Sequence, residues 1–111
     1  MGSFTKGDIV LYPFPYTDLT GQKLRPCLIL SKEMKKDILL CQITSQNVSS
    51  DEFSINLNKN ETLNGSLMIN SLIRCNMLFT GDKTDVKRII CKLSSKKYEE
   101  VCKKINQIIS K

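Results

Sequence analysis

Two short β-forming runs separated by a proline-bearing stretch set the tightest limit on how this chain can fold. Residues 8–12, Asp-Ile-Val-Leu-Tyr, are rich in β-branched and aromatic side chains, and residues 27–30, Cys-Leu-Ile-Leu, form an apolar run bounded by Pro26 and Ser31. Both read as buried or half-buried strands. The residues between them, 13–23, include Pro13 and Pro15, which cannot donate to a ladder, and are too many for a tight hairpin turn. A long loop is therefore expected here, and such a loop inside a compact domain is usually functional or disordered. The segment from Gly7 to Ser31 is expected to carry the active site.

Further strands are expected at short intervals. Residues 37–44 read as a third buried strand that ends on polar Thr44, Ser45 and Gln46, and residues 52–57 alternate polar and apolar with period two. Asn64-Gly65 suits a turn with positive φ. Residues 66–70 and 72–80 read as one bent strand or two short ones, with the bend at Asn70-Ser71, and 86–91 make a last strand. The C-terminal segment differs in kind. Tyr98, Val101, Cys102, Ile105, Ile108 and Ile109 recur at helical spacing, with Ser94 or Ser95 as cap and Glu99–Lys103 and Glu100–Lys104 as i, i+4 pairs. That apolar face is expected to pack on the sheet. The whole predicts a mainly β fold with one helix, a small and strongly bent antiparallel sheet closed by an amphipathic helix, in a single domain over residues 1–111.

Composition narrows the chemistry. Seventeen Lys and Arg against eleven Asp and Glu give a formal charge of +6, which suits a polyanionic partner and equally a soluble basic surface. The chain has no histidine, so a Ser-His-Asp triad, a Cys-His pair and a histidine-based metal site are impossible. No acidic cluster has convincing metal-ligand spacing and no Gly-rich phosphate loop occurs, so neither metal nor cofactor is expected. Five cysteines are scattered without a CxxC pair and read as free structural thiols in a reducing cytoplasm. No apolar run approaches the length of a membrane span.

The pattern GDIV-x-x-PFP-x-TD, followed by K-x-RP, an apolar strand and Ile43-Thr44-Ser45-Gln46, resembles the MazF/PemK (Kid-like) toxins of bacterial type II toxin–antitoxin pairs. The resemblance runs through nearly the whole chain, and the block from Gly7 to Pro26 is its specific part. It implies an SH3-like β-barrel, a homodimer with RNA lying across the dimer face, and a cognate antitoxin. It also implies a catalytic pair at the Arg of the RP motif and the hydroxyl after the third strand, here Arg25 and Thr44, with Ser45 able to substitute for Thr44. The chain departs from the family in having Cys91 and Asn70 where glycine and aspartate are frequent, which bears on local backbone geometry and the dimer edge.

An RNA-cleaving enzyme without histidine is chemically coherent, because RNA supplies its own nucleophile in the 2′-OH. An arginine fork can hold the phosphate and neutralise charge on its non-bridging oxygens. Around Arg25, the loop residues Phe14 and Tyr16 can stack on bases and Lys23 can contact phosphate. Packing beneath the loop is the more economical role for Phe14. Asp18 is the loop's single carboxylate, a candidate proton acceptor or Arg25 orienter that an Asp-capped turn explains equally well, and Gln46 is placed to read a base edge. The resemblance therefore implies a sequence-specific, metal-independent endoribonuclease of the cytoplasm. It would cleave single-stranded mRNA to leave a 2′,3′-cyclic phosphate and a 5′-OH. Two rivals remain: a catalytically silent barrel that binds RNA or protein, and a CcdB-like toxin acting on a protein such as DNA gyrase.

Overall fold

The computed structural model describes residues 4–15, 22–44 and 51–110. These form one seven-stranded antiparallel sheet and a helix. The strands are β1 (Asp8–Pro15), β2 (Gln22–Ile29), β3 (Asp37–Thr44), β4 (Ser54–Leu57), β5 (Thr62–Leu63), β6 (Ser71–Asp82) and β7 (Arg88–Leu93), followed by α1 (Ser95–Ser110). The order across the sheet is β4-β6-β3-β2-β1-β7-β5. The sheet curls into a half-barrel, in agreement with the bent sheet and closing helix expected from the sequence.

β1 and β2 are longer than the sequence predicts, since the ladder runs through both prolines and pairs Pro13 with Leu24, Phe14 with Lys23 and Pro15 with Gln22. The parity of the strand explains this. Leu11 accepts the Lys87 N–H (2.9 Å) on the side away from β2, so residues 11, 13 and 15 all turn their backbone groups outwards. β7 pairs with β1 only as far as Leu11, leaving Pro13 and Pro15 on an edge where a missing N–H costs nothing. Pro26 has the opposite effect. Residues 28 and 30 face β3, as the Leu30 N–H to Leu39 O bond (2.8 Å) shows, and Pro26 shares their parity. Its missing N–H faces β3, and the β2–β3 ladder indeed stops at Cys27.

The third strand begins and ends where the sequence places it. The bend of the long strand does not. Residues 66–70 are not a strand, and β6 breaks register with β3 between the pairs Cys41–Leu78 and Ile43–Ile73. One residue of β3, Gln42, there faces four of β6, and this bulge turns the sheet. The first part of β6 also pairs with β4, Ile73 standing between Ile43 and Ile55.

Strand alternation supplies two cores. Ile9, Leu28, Ile43, Ile73 and Leu93 face α1, where Val101 is fully buried and Tyr98, Ile105 and Ile108 pack alongside. Val10, Tyr12, Cys27, Ile29 and Leu40 form the second core on the opposite face. Cys102 and Ile109, expected on the apolar side of α1, are exposed. Cys102 and Ile109, seven residues apart, share a flank of α1 beside the stripe of Tyr98, Val101, Ile105 and Ile108 that packs on the sheet. Ser94 caps α1 by accepting the Lys97 N–H (3.3 Å). The helix's ion pairing also differs from the i, i+4 pattern: Lys97 bridges Glu61 (3.1 Å) and Glu100 (3.2 Å). Four of the five cysteines are buried, and all five are free. Among the described residues, no helix is long and apolar enough to cross a membrane.

At the Asn64-Gly65 turn both residues have positive φ, 58° and 131°, as expected from the dipeptide. A Cβ on Gly65 would stand 2.5 Å from the Ile90 carbonyl oxygen, so the position needs glycine on two counts.

Tyr98 ties α1 to the sheet by donating its hydroxyl to Leu30 O (2.9 Å). Burial, with Cys102 nearby, pushes its hydroxyl up to about 12 from 10.0. Because the folded state favours the neutral phenol, stability should be level below pH 10 and fall as pH rises from 10 to about 12, where only the unfolded chain ionises. Urea titrations of wild type and Tyr98→Phe across that window test this: the variant should lose about 1 kcal/mol at neutral pH and show a shallower alkaline decline.

Candidate functional site

The sequence pattern singled out Arg25 and Thr44, and strand register brings them together. Arg25 stands directly across from Tyr12 in the β1–β2 ladder. Cys27 pairs with Gln42 in the β2–β3 ladder, and the same register carried two residues further sets Arg25 across from Thr44. Thr44 in turn pairs with Leu72 of β6. Tyr12, Arg25, Thr44 and Leu72 therefore form a row over four neighbouring strands, all directed to the face away from α1. Among the described residues the β2–β3 ladder ends at the Cys27–Gln42 pair, two residues from Arg25.

Their surroundings suit anion binding. Thr44 is buried and Arg25 half-buried. Lys23, exposed and across from Phe14, adds a second positive charge on the same side of β2. Burial pushes the Cys27 thiol up to about 12, with the Arg25 guanidinium pulling weakly the other way. The thiol beside the arginine is thus protonated at neutral pH and is no nucleophile.

The sequence analysis missed Arg74. It pairs with Ser54 at the end of the β4–β6 ladder and lies two residues along β6 from Leu72, so it shares the face of Thr44 and Arg25. Its Nε is buried and meets no hydrogen-bond partner among the described residues, nor does the Oγ of Ser54 across from it. The Asp51 carboxylate stands near both, its pKa lowered first by the Phe53 N–H and in part by Ser54 and Arg74, and the Arg74 Nε is left to meet a further acceptor. The signal was a charged residue inside the apolar run Leu72-Ile73-Arg74-Cys75, in a segment otherwise read as core.

The expected packing of Phe14 beneath the loop falls on residues 16–21, outside the described residues; its ring is engaged within the sheet. Its ring meets Phe79 edge to face (centroids 4.9 Å apart, 86°), and Tyr12 meets the same ring at 5.6 Å. The Tyr12 hydroxyl accepts the Asp82 N–H (3.0 Å) and leaves no room for a side chain at Gly81. Tyr16, Asp18, Ser45 and Gln46 lie outside the described residues. Among those described, no group of three Cys, Asp or Glu side chains is placed to hold a metal ion.

The curled half-barrel with its closing C-terminal helix is the architecture of MazF toxins. A sequence profile of the PemK-like, MazF-like toxins of type II toxin–antitoxin systems matches residues 5–109, and the chain belongs to that family. Solved structures share its architecture. A MazE–MazF complex from Deinococcus radiodurans superposes with a TM-score of 0.77 at 17% identity, covering 99% of this chain and 98% of that one. MazF of the same organism gives 0.74 at 17% identity over 100% of both chains. An endoribonuclease in complex with its cognate antitoxin, from a mycobacterial species, gives 0.71 at 11% identity, over 97% of this chain and 96% of that one. At these identities the likeness establishes the fold. Comparison with curated protein sequences gives no significant match.

Proposed function

We propose that this toxin is a sequence-specific endoribonuclease that cleaves single-stranded RNA, mRNA among it, without a metal ion. The observation that carries this reading is the register that sets Arg25 across from Thr44 on the open face, with Arg74 and Lys23 on either side. RNA brings the nucleophile. As the 2′-oxygen bonds to phosphorus it loses its proton, and the 5′-oxygen gains one as it leaves, giving a 2′,3′-cyclic phosphate and a 5′-OH. The protein must hold the 2′-OH in line and neutralise charge on the non-bridging oxygens. Arg25 is fitted to the second task by its bidentate fork and fixed charge. The Thr44 hydroxyl donates to a phosphate oxygen or positions the 2′-OH, and Ser45, Gln46, Tyr16 and Asp18 are proposed to complete the substrate contacts.

Arg74 serves as a second phosphate ligand. Arg74→Met should slow cleavage by at least about tenfold while leaving the thermal transition close to that of wild type; a rate within twofold of wild type would remove Arg74 from the site. The toxin is proposed to act as a homodimer in the reducing cytoplasm, where its free thiols remain reduced. A cognate antitoxin is proposed to hold it in check by laying an acidic segment over the same basic face; two structures of similar fold are complexes with an antitoxin.

The direct test is incubation of the purified protein in EDTA with a long RNA of mixed sequence, followed by mapping of 5′ ends and assay for cyclic phosphate. Discrete cuts with cyclic ends are expected. A folded protein that leaves the RNA intact would overturn the ribonuclease reading in favour of a silent RNA- or protein-binding barrel.

A further inference from the structure

On the open face, β1, β3 and β6 enclose a cleft of about 620 Å³. That is within the range of small-molecule sites and spacious enough for a nucleobase with its ribose. Tyr12, Phe14 and Phe79 line it with rings that meet edge to face. Gln42 and Asn76 bring two side-chain amides to it, Gln42 half-buried and Asn76 exposed. We infer that this cleft takes one unstacked RNA base beside the scissile phosphate and that Gln42 reads its edge, which makes Gln42 a specificity-determining residue.

Four observations carry this inference. The cleft adjoins the proposed phosphate contacts, since Tyr12 stands across from Arg25 and Phe14 across from Lys23, one strand spacing of about 4.8 Å away. An aromatic wall accepts the face of any base, whereas an amide offers a donor and an acceptor side by side and so fixes which base edge fits. Gln42 occupies the one position of β3 that faces four residues of β6. Gln42 is partnered by Cys27 on β2, and on the β6 side its side chain borders the cleft. Finally, the cleft is not a phosphate site: Asp85 and Lys87 both line it and oppose each other in charge, so a neutral, flat and polar-edged group suits it better than an anion.

The inference rests on the ribonuclease reading of the adjoining row, and two experiments separate their fates. In the first, cut sites on a mixed-sequence RNA are mapped for wild type, Gln42→Leu and Gln42→Glu. Preference at one position of the recognition sequence should weaken by about tenfold in Gln42→Leu and change in Gln42→Glu, with the other positions kept. An unchanged recognition sequence in both variants would overturn the assignment. In the second, an uncleavable 2′-deoxy oligonucleotide of the mapped sequence, or of mixed sequence if no cuts are found, is titrated into labelled wild-type protein. The side-chain amide signals of Gln42 are followed by NMR. Their displacement by the oligonucleotide supports the base cleft even if the protein cuts no RNA, in which case the ribonuclease reading alone falls. Signals that stay fixed overturn the cleft. Signals that instead move with protein concentration also overturn it, because a second copy of the chain then fills the space.

Discussion

Replacing Arg25 by alanine should lower the RNA cleavage rate by about 10²–10³-fold, the usual cost of deleting a donor that stabilises transition-state charge. The loss should fall on kcat more than on KM, because Lys23 and Arg74 still attract the backbone. Arg25→Lys should recover little of it. A lysine keeps the charge but loses the planar fork that engages two oxygens at once. Single-turnover cleavage in EDTA, with thermal melting to confirm folding, measures both variants. An Arg25→Ala protein that cuts within threefold of wild type would sink the proposed mechanism.

The largest effect on stability is expected at Ile73. Its side chain is fully buried in the core under α1, and its backbone lies between those of Ile43 on β3 and Ile55 on β4. Ile73→Ala should cost about 2–5 kcal/mol, as large-to-small changes do where the surroundings cannot collapse into the void. For a domain of this size, roughly 4 °C of melting temperature is lost per kcal/mol. Two partner strands hold this segment of β6 in place, so the space has little freedom to close. Urea unfolding gives the number directly, and a loss under 1 kcal/mol would show that the core closes around the missing Ile73 side chain. Since Leu72 and Arg74 flank it, activity near the midpoint of unfolding should fall in step with the folded fraction.

The reach of the sequence reading varied with the physics involved. β3 is legible to the residue because its apolar run is broken by Gln42 alone and ends on hydroxyls. The helix was legible through its period, although Cys102 and Ile109 obey that period and still face solvent, because the extent of the surface beneath a helix is a tertiary fact. Pro13 and Pro15 misled the strand boundaries: a proline forbids a donor on one side of a strand only, and which side is open depends on the neighbour's length. The bend was placed at Asn70-Ser71 on local turn chemistry, whereas it arises from a mismatch of register between β3 and β6. Arg25 and Thr44 were found through a motif, and strand pairing supplied the geometry that unites them. Arg74 carries no local mark beyond its charge. Only the pairing of β6 with both β3 and β4 reveals which face it shares.

Pro26 does more than begin an apolar strand. On one flank Arg25 is paired with Tyr12, while on the other the described ladder ends at Cys27, two residues away. Pro26 has no proton to offer the next strand, and among the described residues the β2–β3 ladder ends beside it. In the proposed enzyme the residue that ends this seam is thus also the one that sets Arg25 in extended geometry at the head of the apolar run.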